Sequence, residues 1–239
     1  MRHVCLIGLL LTCLALPAVA PAANLPRKPA LGVGLSAVPP ELREKYRLGE
    51  GEGVLLTQVA PGQSADKAGL KAGDILVARD DRPVVAQGFT ATLAGLAVGD
   101  PVRFKVLREG RPRSVTVTML ERPRDPGTAD YTVEYSDVVS HGNRMRTLIS
   151  HPRTPGRHPA LFFIQGYSPI SYDYRLDQPG LDAPILYEFA RSGFVTLRVD
   201  KPGVGDSEGG PFADVDFTTE LDIYRQALAQ LKSQPDVDT

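Results

Sequence analysis

Ala68-Gly69-Leu70-Lys71-Ala72-Gly73-Asp74-Ile75-Leu76 packs a helix end, a turn and a strand start into nine residues. Just upstream, Ser64 is a residue type that caps a short helix. Gly69 supplies the left-handed backbone that ends such a helix, and Gly73-Asp74 turns the chain into a strand. Working outward, Leu31-Gly32-Val33 leads through a Pro-rich turn and a charged segment to Gly53-Val54-Leu55-Leu56-Thr57-Gln58-Val59. Downstream, Asp80-Asp81-Arg82-Pro83-Val84 reads as a hairpin turn, and residues 89–96 suit a second helix. Val102 to Val106 and Val115 to Met119 alternate in and out, with a turn at Glu109-Gly110-Arg111.

Taken together, residues 28–122 resemble a PDZ domain of the bacterial kind found in periplasmic proteases, a small β-barrel or sandwich with two helices. The resemblance implies a recognition mode. The C-terminus of a peptide or protein would add as a strand beside Val33-Gly34-Leu35, its carboxylate taking N–H bonds from the hydrophobic-Gly-hydrophobic loop Leu31-Gly32-Val33. Leu93, on the second helix, would wall the apolar pocket with Leu35. The same residues could instead be plain core, with the groove closed or docked on a neighbouring unit.

Lys and Arg (27) nearly balance Asp and Glu (28), and no basic block is present, which argues against nucleic-acid binding. Arg2 and His3 precede an apolar run over residues 4–16, then Pro17 and a small-residue tail. This reads as an export signal over residues 1–22, cut after Ala22, placing the protein in the periplasm or outside the cell. Pro17, Pro21 and the alanine-rich tail argue against a retained membrane anchor, and Thr12 against lipidation at Cys13. Cys5 and Cys13 both fall in this leader, so neither disulfides nor thiolate metal sites are expected after cleavage.

Residues 123–129 are Pro-rich, charged and aperiodic, and read as a linker. Beyond them, residues 131–139 and 146–150 read as paired strands. Ala160-Leu161-Phe162-Phe163-Ile164 is an unbroken apolar run suited to a parallel strand buried on both faces. A helix is expected over 183–192 with Ile185, Leu186 and Phe189 on its inner face, and a strand over 194–199. A second helix, capped by Thr218 or Thr219, would bury Leu221, Tyr224, Leu228 and Leu231. Pro235-Asp236-Val237-Asp238 then approaches a fifth strand. Strands alternating with helices imply a parallel sheet.

The segment 195–210, with its glycine-rich turn Gly203-Val204-Gly205-Asp206-Ser207, resembles the fourth strand of an α/β-hydrolase and the turn after it. Residues 130–239 would then be the N-terminal part of that fold, an incomplete parallel sheet ending before the nucleophile elbow. The resemblance implies an oxyanion loop at Gln165-Gly166-Tyr167, where Tyr167 N–H would be the donor while Gln165, standing where the family usually has His, and Gly166 shape the loop.

Gly205-Asp206-Ser207-Glu208-Gly209 matches G-x-S-x-G letter for letter but lacks the mechanism. In an α/β-hydrolase the Asp and His of the triad follow the Ser, and no His follows Ser207. A trypsin-like site needs a His well upstream on a separate barrel, which this chain does not supply. Gly203, Gly205, Asp206 and Ser207 are instead expected to build the turn, the last two bonding local backbone. His141, His151 and His158 sit in or beside turns, Asp173, Asp177 and Asp182 lack calcium-site spacing, and no cofactor fingerprint occurs.

The resulting expectation is the N-terminal portion of an exported, PDZ-containing serine hydrolase, peptidase-like or esterase-like, with its catalytic triad outside these residues. The alternative is a non-catalytic module that binds peptides or proteins through the PDZ groove. Neither requires a cofactor, a metal, a nucleic acid, or a membrane once the leader is removed.

Overall fold

The computed structural model describes residues 24–166, 170–173 and 183–238. The expected leader, Tyr167, Asp177 and Asp182 lie outside the described residues. Among the described residues no helix is long and apolar enough to cross a membrane.

The first part of the chain runs β1 (Pro29–Ala30), β2 (Val33–Ala37), α1 (Pro40–Tyr46), β3 (Val54–Val59), α2 (Ser64–Lys67), β4 (Ile75–Arg79), β5 (Arg82–Pro83), α3 (Phe89–Thr92), β6 (Pro101–Arg108), β7 (Arg111–Thr118) and β8 (Leu120–Glu121). Its main sheet has the order β2-β3-β4-β6-β7, with β5 paired to β4. Two turns show why the ladder is antiparallel. Asp80 and Asp81 (φ 45° and 67°) close β4–β5, and Glu109 and Gly110 (φ 53° and 77°) close β6–β7. Such paired positive φ values match the twist of a tight hairpin. Val54, Leu56, Leu76, Phe89, Phe104 and Val117 fill the core.

Local details differ from the sequence reading. The charged segment after β2 forms α1. Gln63, not Ser64, is the N-cap residue of α2; Ser64 is fully buried, donates to Ala30 O (2.6 Å) and accepts from Leu120 N (2.9 Å). The second helix stops at Thr92 instead of Leu96, with Leu93 as its C-cap and Gly95 in the left-handed region.

The second part contains β9 (Tyr131–Ser140), β10 (Asn143–Pro152), β11 (Ala160–Phe163), α4 (Ala183–Arg191), β12 (Val195–Val199) and α5 (Phe217–Lys232). The sheet order is β11-β12-β10-β9. Only β11 and β12 are parallel, joined by a crossover through α4; β9–β10 and β10–β12 are antiparallel. The two-residue turn His141-Gly142 dictates the β9–β10 pairing, because a tight turn can only return the chain antiparallel. The sheet is therefore mixed where a parallel one was expected. Past β11 the pattern continues: His158 forms a parallel bridge to Val237, donating to Asp236 O (2.7 Å) and accepting from Asp238 N (2.8 Å).

One face of this sheet is apolar. Ile223, Ala227 and Leu231 of α5 pack on Met145, Ile149, Val195, Leu197 and Val199. The helix face is rotated from the expected one, leaving Leu228 37 % exposed, and Asp216 supplies the cap by accepting from Thr219 N (2.7 Å). On α4, Leu186 and Ala190 are buried while Ile185 is 53 % exposed. Tyr187 of α4 lies 5.5 Å from the Arg198 guanidinium, so the α4 face of the sheet carries buried charge.

Candidate functional site

The groove of the first sheet is built from an edge and a loop. β2 ends the sheet and pairs with β3 on one side, so its outer edge lies open among the described strands. At its start, Leu31 O accepts from Ala65 N (3.0 Å) and Gly32 O accepts from Ala60 N (2.9 Å). A trans peptide points its C=O and N–H in opposite directions, so the N–H groups of Gly32 and Val33 are directed away from those inward bonds. Gly32 has φ 76°, and a Cβ there would lie 2.3 Å from Gln63 Cβ. Only glycine fits. Leu31 is buried, whereas Val33, Leu35 and Leu93 are partly buried against the core and keep some surface for a ligand.

Asp74, in the nine-residue stretch, ties the turn before β4 to β6. Its carboxylate takes a bidentate pair from Arg108 (2.7 Å each) and a bond from Lys71 N (2.9 Å), while the same guanidinium donates to Gly69 O.

The glycine turn after β12 is a second centre, and its chemistry is structural. Ser207 is fully buried; its hydroxyl accepts from Arg146 N (2.9 Å) and donates to Asp200 O (3.2 Å). Asp206 does not bond its local backbone as expected. Its Oδ2 takes Arg27 Nη1 (2.5 Å) and Arg146 Nε (3.2 Å), and its Oδ1 takes Lys28 N (2.9 Å). Arg27 also donates to Asp173 (2.5 Å), Pro123 O and Arg122 O, and lies 4.6 Å from the Tyr135 ring. Burial pulls the Arg27 guanidinium down, but Asp173 and Asp206 outweigh it and the net shift is upward. Arg146 shifts the other way, because burial dominates there. The Arg146 guanidinium also donates to Leu25 O.

Sequence reading missed Arg27 altogether. Within the expected linker, residues 123–129, Asp125 is buried, with its N–H on Tyr135 OH (2.7 Å) and its carboxylate 3.7 Å from Arg198. Arg27 lacked any motif; it stands between Pro26 and Lys28 in a short segment without periodicity.

Gly203 and Gly205 serve the turn in space as well as in angle. Gly205 has φ 57°, and a Cβ there would sit 2.1 Å from Asp200 Oδ2. That close approach seals Asp200, whose carboxyl is pushed up to about 7 by burial despite bonds from Ser171 Oγ (2.6 Å) and Tyr172 N (3.0 Å).

The loop after β11 holds Gln165 and Gly166. Gln165 is 4 % exposed, and among the described residues neither side-chain amide atom has a hydrogen-bond partner. Its carbonyl accepts from Tyr224 OH (3.2 Å), and Gly166 O accepts from Lys201 Nζ (2.8 Å), which also pairs with Glu220 (2.6 Å). Tyr167 lies outside the described residues. Among the described residues no cluster of metal-ligating side chains occurs.

The family model described as PDZ domain matches residues 29–119. A probable periplasmic serine endoprotease, DegP-like, from Marinomonas sp. (strain MWYL1) is 35% identical over 97 residues, 40% of this chain and 21% of the relative. Its namesake from Chlamydia pneumoniae is 35% identical over 98 residues, 41% of this chain and 20% of the relative. The solved HtrA-type protease AlgWS227A with decapeptide aligns at 29% identity and a TM-score of 0.37, over 41% of this chain and 30% of that one. The chain thus spans about a fifth of the length of the curated relatives it matches. Residues 29–119 are a PDZ domain homologous to part of the DegP-like periplasmic serine endoproteases.

Proposed function

We propose that this chain is an exported protein whose PDZ domain captures the C-termini of peptides or proteins. The observation that carries this is the open edge of β2 beside the Leu31-Gly32-Val33 loop, whose carbonyls are tied inward. A peptide adding along that edge gains main-chain hydrogen bonds, and its terminal carboxylate meets the outward N–H groups. Leu35 and Leu93 favour an apolar last residue. The leader-like N-terminus and the periplasmic names of the relatives support export.

Residues 130–238 we read as the opening part of an α/β-hydrolase on which this domain is carried. The parallel β11–α4–β12 unit supports that reading, as does a glycine turn that follows β12 and a loop placed between the third strand of this sheet and its first helix. Acyl transfer, peptidase-like or esterase-like, would need a nucleophile other than Ser207, whose buried hydroxyl already serves two backbone groups. Without one, the protein acts as a binding module alone.

The test is a titration of the full chain with decapeptides ending in valine, leucine or isoleucine, each as free acid and as C-terminal amide. Binding of the acids, weakened at least tenfold by amidation, is expected. Equal affinity for acid and amide, or no binding by any of them, overturns the reading.

A further inference from the structure

We propose that Asp206, on the glycine turn of the second sheet, is a positioning residue for the carboxylate-binding loop of the PDZ domain. It acts through the strap formed by residues 25–28, and the inference rests on the peptide-binding reading above. The contact is direct at one end: Asp206 Oδ1 accepts from Lys28 N (2.9 Å), and Lys28 Nζ donates to Ser207 O (2.8 Å). Arg27, one residue earlier, is clamped between Asp206 and Asp173 with no side-chain exposure.

From Lys28 to Gly32 the chain has no slack. Pro29 fixes its own φ and pairs with Glu121, while Ala30 pairs with Leu120. The carbonyls of Lys28, Ala30, Leu31 and Gly32 are held in turn by Arg122 N, the Ser64 hydroxyl, Ala65 N and Ala60 N. Gly32 is wedged against Gln63, so the loop cannot yield toward α2. A carboxylate bound by the loop and the carboxylate of Asp206 therefore act on the two ends of one rigid segment. Energetic coupling of this kind is reciprocal. A disturbed Asp206 weakens peptide binding, and a bound peptide tightens the strap and the turn that holds it.

Two measurements on the full chain test this. Affinity for the valine-ending decapeptide acid is compared between wild type and Asp206→Asn, using only the folded fraction. A loss of at least fivefold is expected, whereas a residue that merely stabilises the fold would leave the affinity of folded molecules unchanged. Because Asp206→Asn can lower the folded fraction, hydrogen exchange of the wild-type protein is followed with and without saturating peptide. Slower exchange at residues 25–28 and 203–207 on peptide addition is expected. Affinity within twofold of wild type, or exchange at those residues indifferent to peptide, overturns the inference while leaving peptide binding intact. Failure of the wild type to bind the peptide overturns both.

Discussion

The PDZ domain and the sheet that follows it fill their interiors differently. The first is packed by Leu56, Leu76, Phe89, Phe104 and their apolar neighbours, and its Asp74–Arg108 ion pair keeps the guanidinium partly exposed. The second is apolar under α5 only. Beneath α4, Arg146 and Arg198 are among the largest fully buried side chains of the molecule, and Arg27, Asp125, Asp173 and Asp206 surround them. An apolar core tolerates the loss of a contact by leaving a cavity. A buried ion cluster does not, since removing one member leaves another charge uncompensated in a low-dielectric interior.

The sharpest way to break that contrast is Asp206→Asn, which strips the shared partner from Arg27 and Arg146. We expect a loss of about 3–5 kcal/mol in urea-monitored unfolding. Leu56→Ala in the apolar core is expected to cost about 3 kcal/mol. Asp81→Asn, by contrast, is expected to leave the unfolding midpoint in place although Arg103 and Lys105 both reach it, because all three side chains are exposed. A larger effect at Asp81 than at Asp206 would reverse the ranking of the two regions.

This contrast also explains what could be read from the chain beforehand. Gly69, Gly73 and Asp74 act within a few residues of their own positions, so turn chemistry exposed them. Hairpin turns at Asp80-Asp81 and Glu109-Gly110 were legible for the same reason. The partners of Asp206 lie 60 and 179 residues away in sequence, and Asp173 lies 146 from Arg27. No local pattern encodes such separations. On α5 the buried stripe was misjudged because both faces carry apolar residues, and only packing selects Ile223 and Ala227 over Leu228; on α4 Leu186 is buried as expected, whereas Ile185 is exposed. The mixed character of the second sheet turned on a two-residue turn, His141-Gly142, that reads the same in many folds.

A smaller effect sharpens the comparison through pH. Burial raises the Asp200 carboxyl from its ordinary value to about 7. In the unfolded chain the group loses its proton near pH 4, while the folded protein keeps it until near neutrality. The folded state therefore binds more protons across that window, and stability falls as pH rises from about 4 to about 7. We expect this residue alone to impose that decline, since the bonds Ser171 and Tyr172 make to the ionised form do not offset its burial. In Asp200→Asn that decline should vanish. A variant whose stability follows the wild-type pH dependence would show that Asp200 ionises as freely as an exposed carboxylate.

The central claim concerns the loop at the head of β2, and backbone amide chemical shifts of the full chain address it most directly. Added valine-ending decapeptide acid is predicted to shift the N–H resonances of Gly32 and Val33, together with residues along β2. The C-terminal amide of the same peptide should leave Gly32 and Val33 in place. Shifts confined to other surfaces, or identical shifts from acid and amide, would contradict the account.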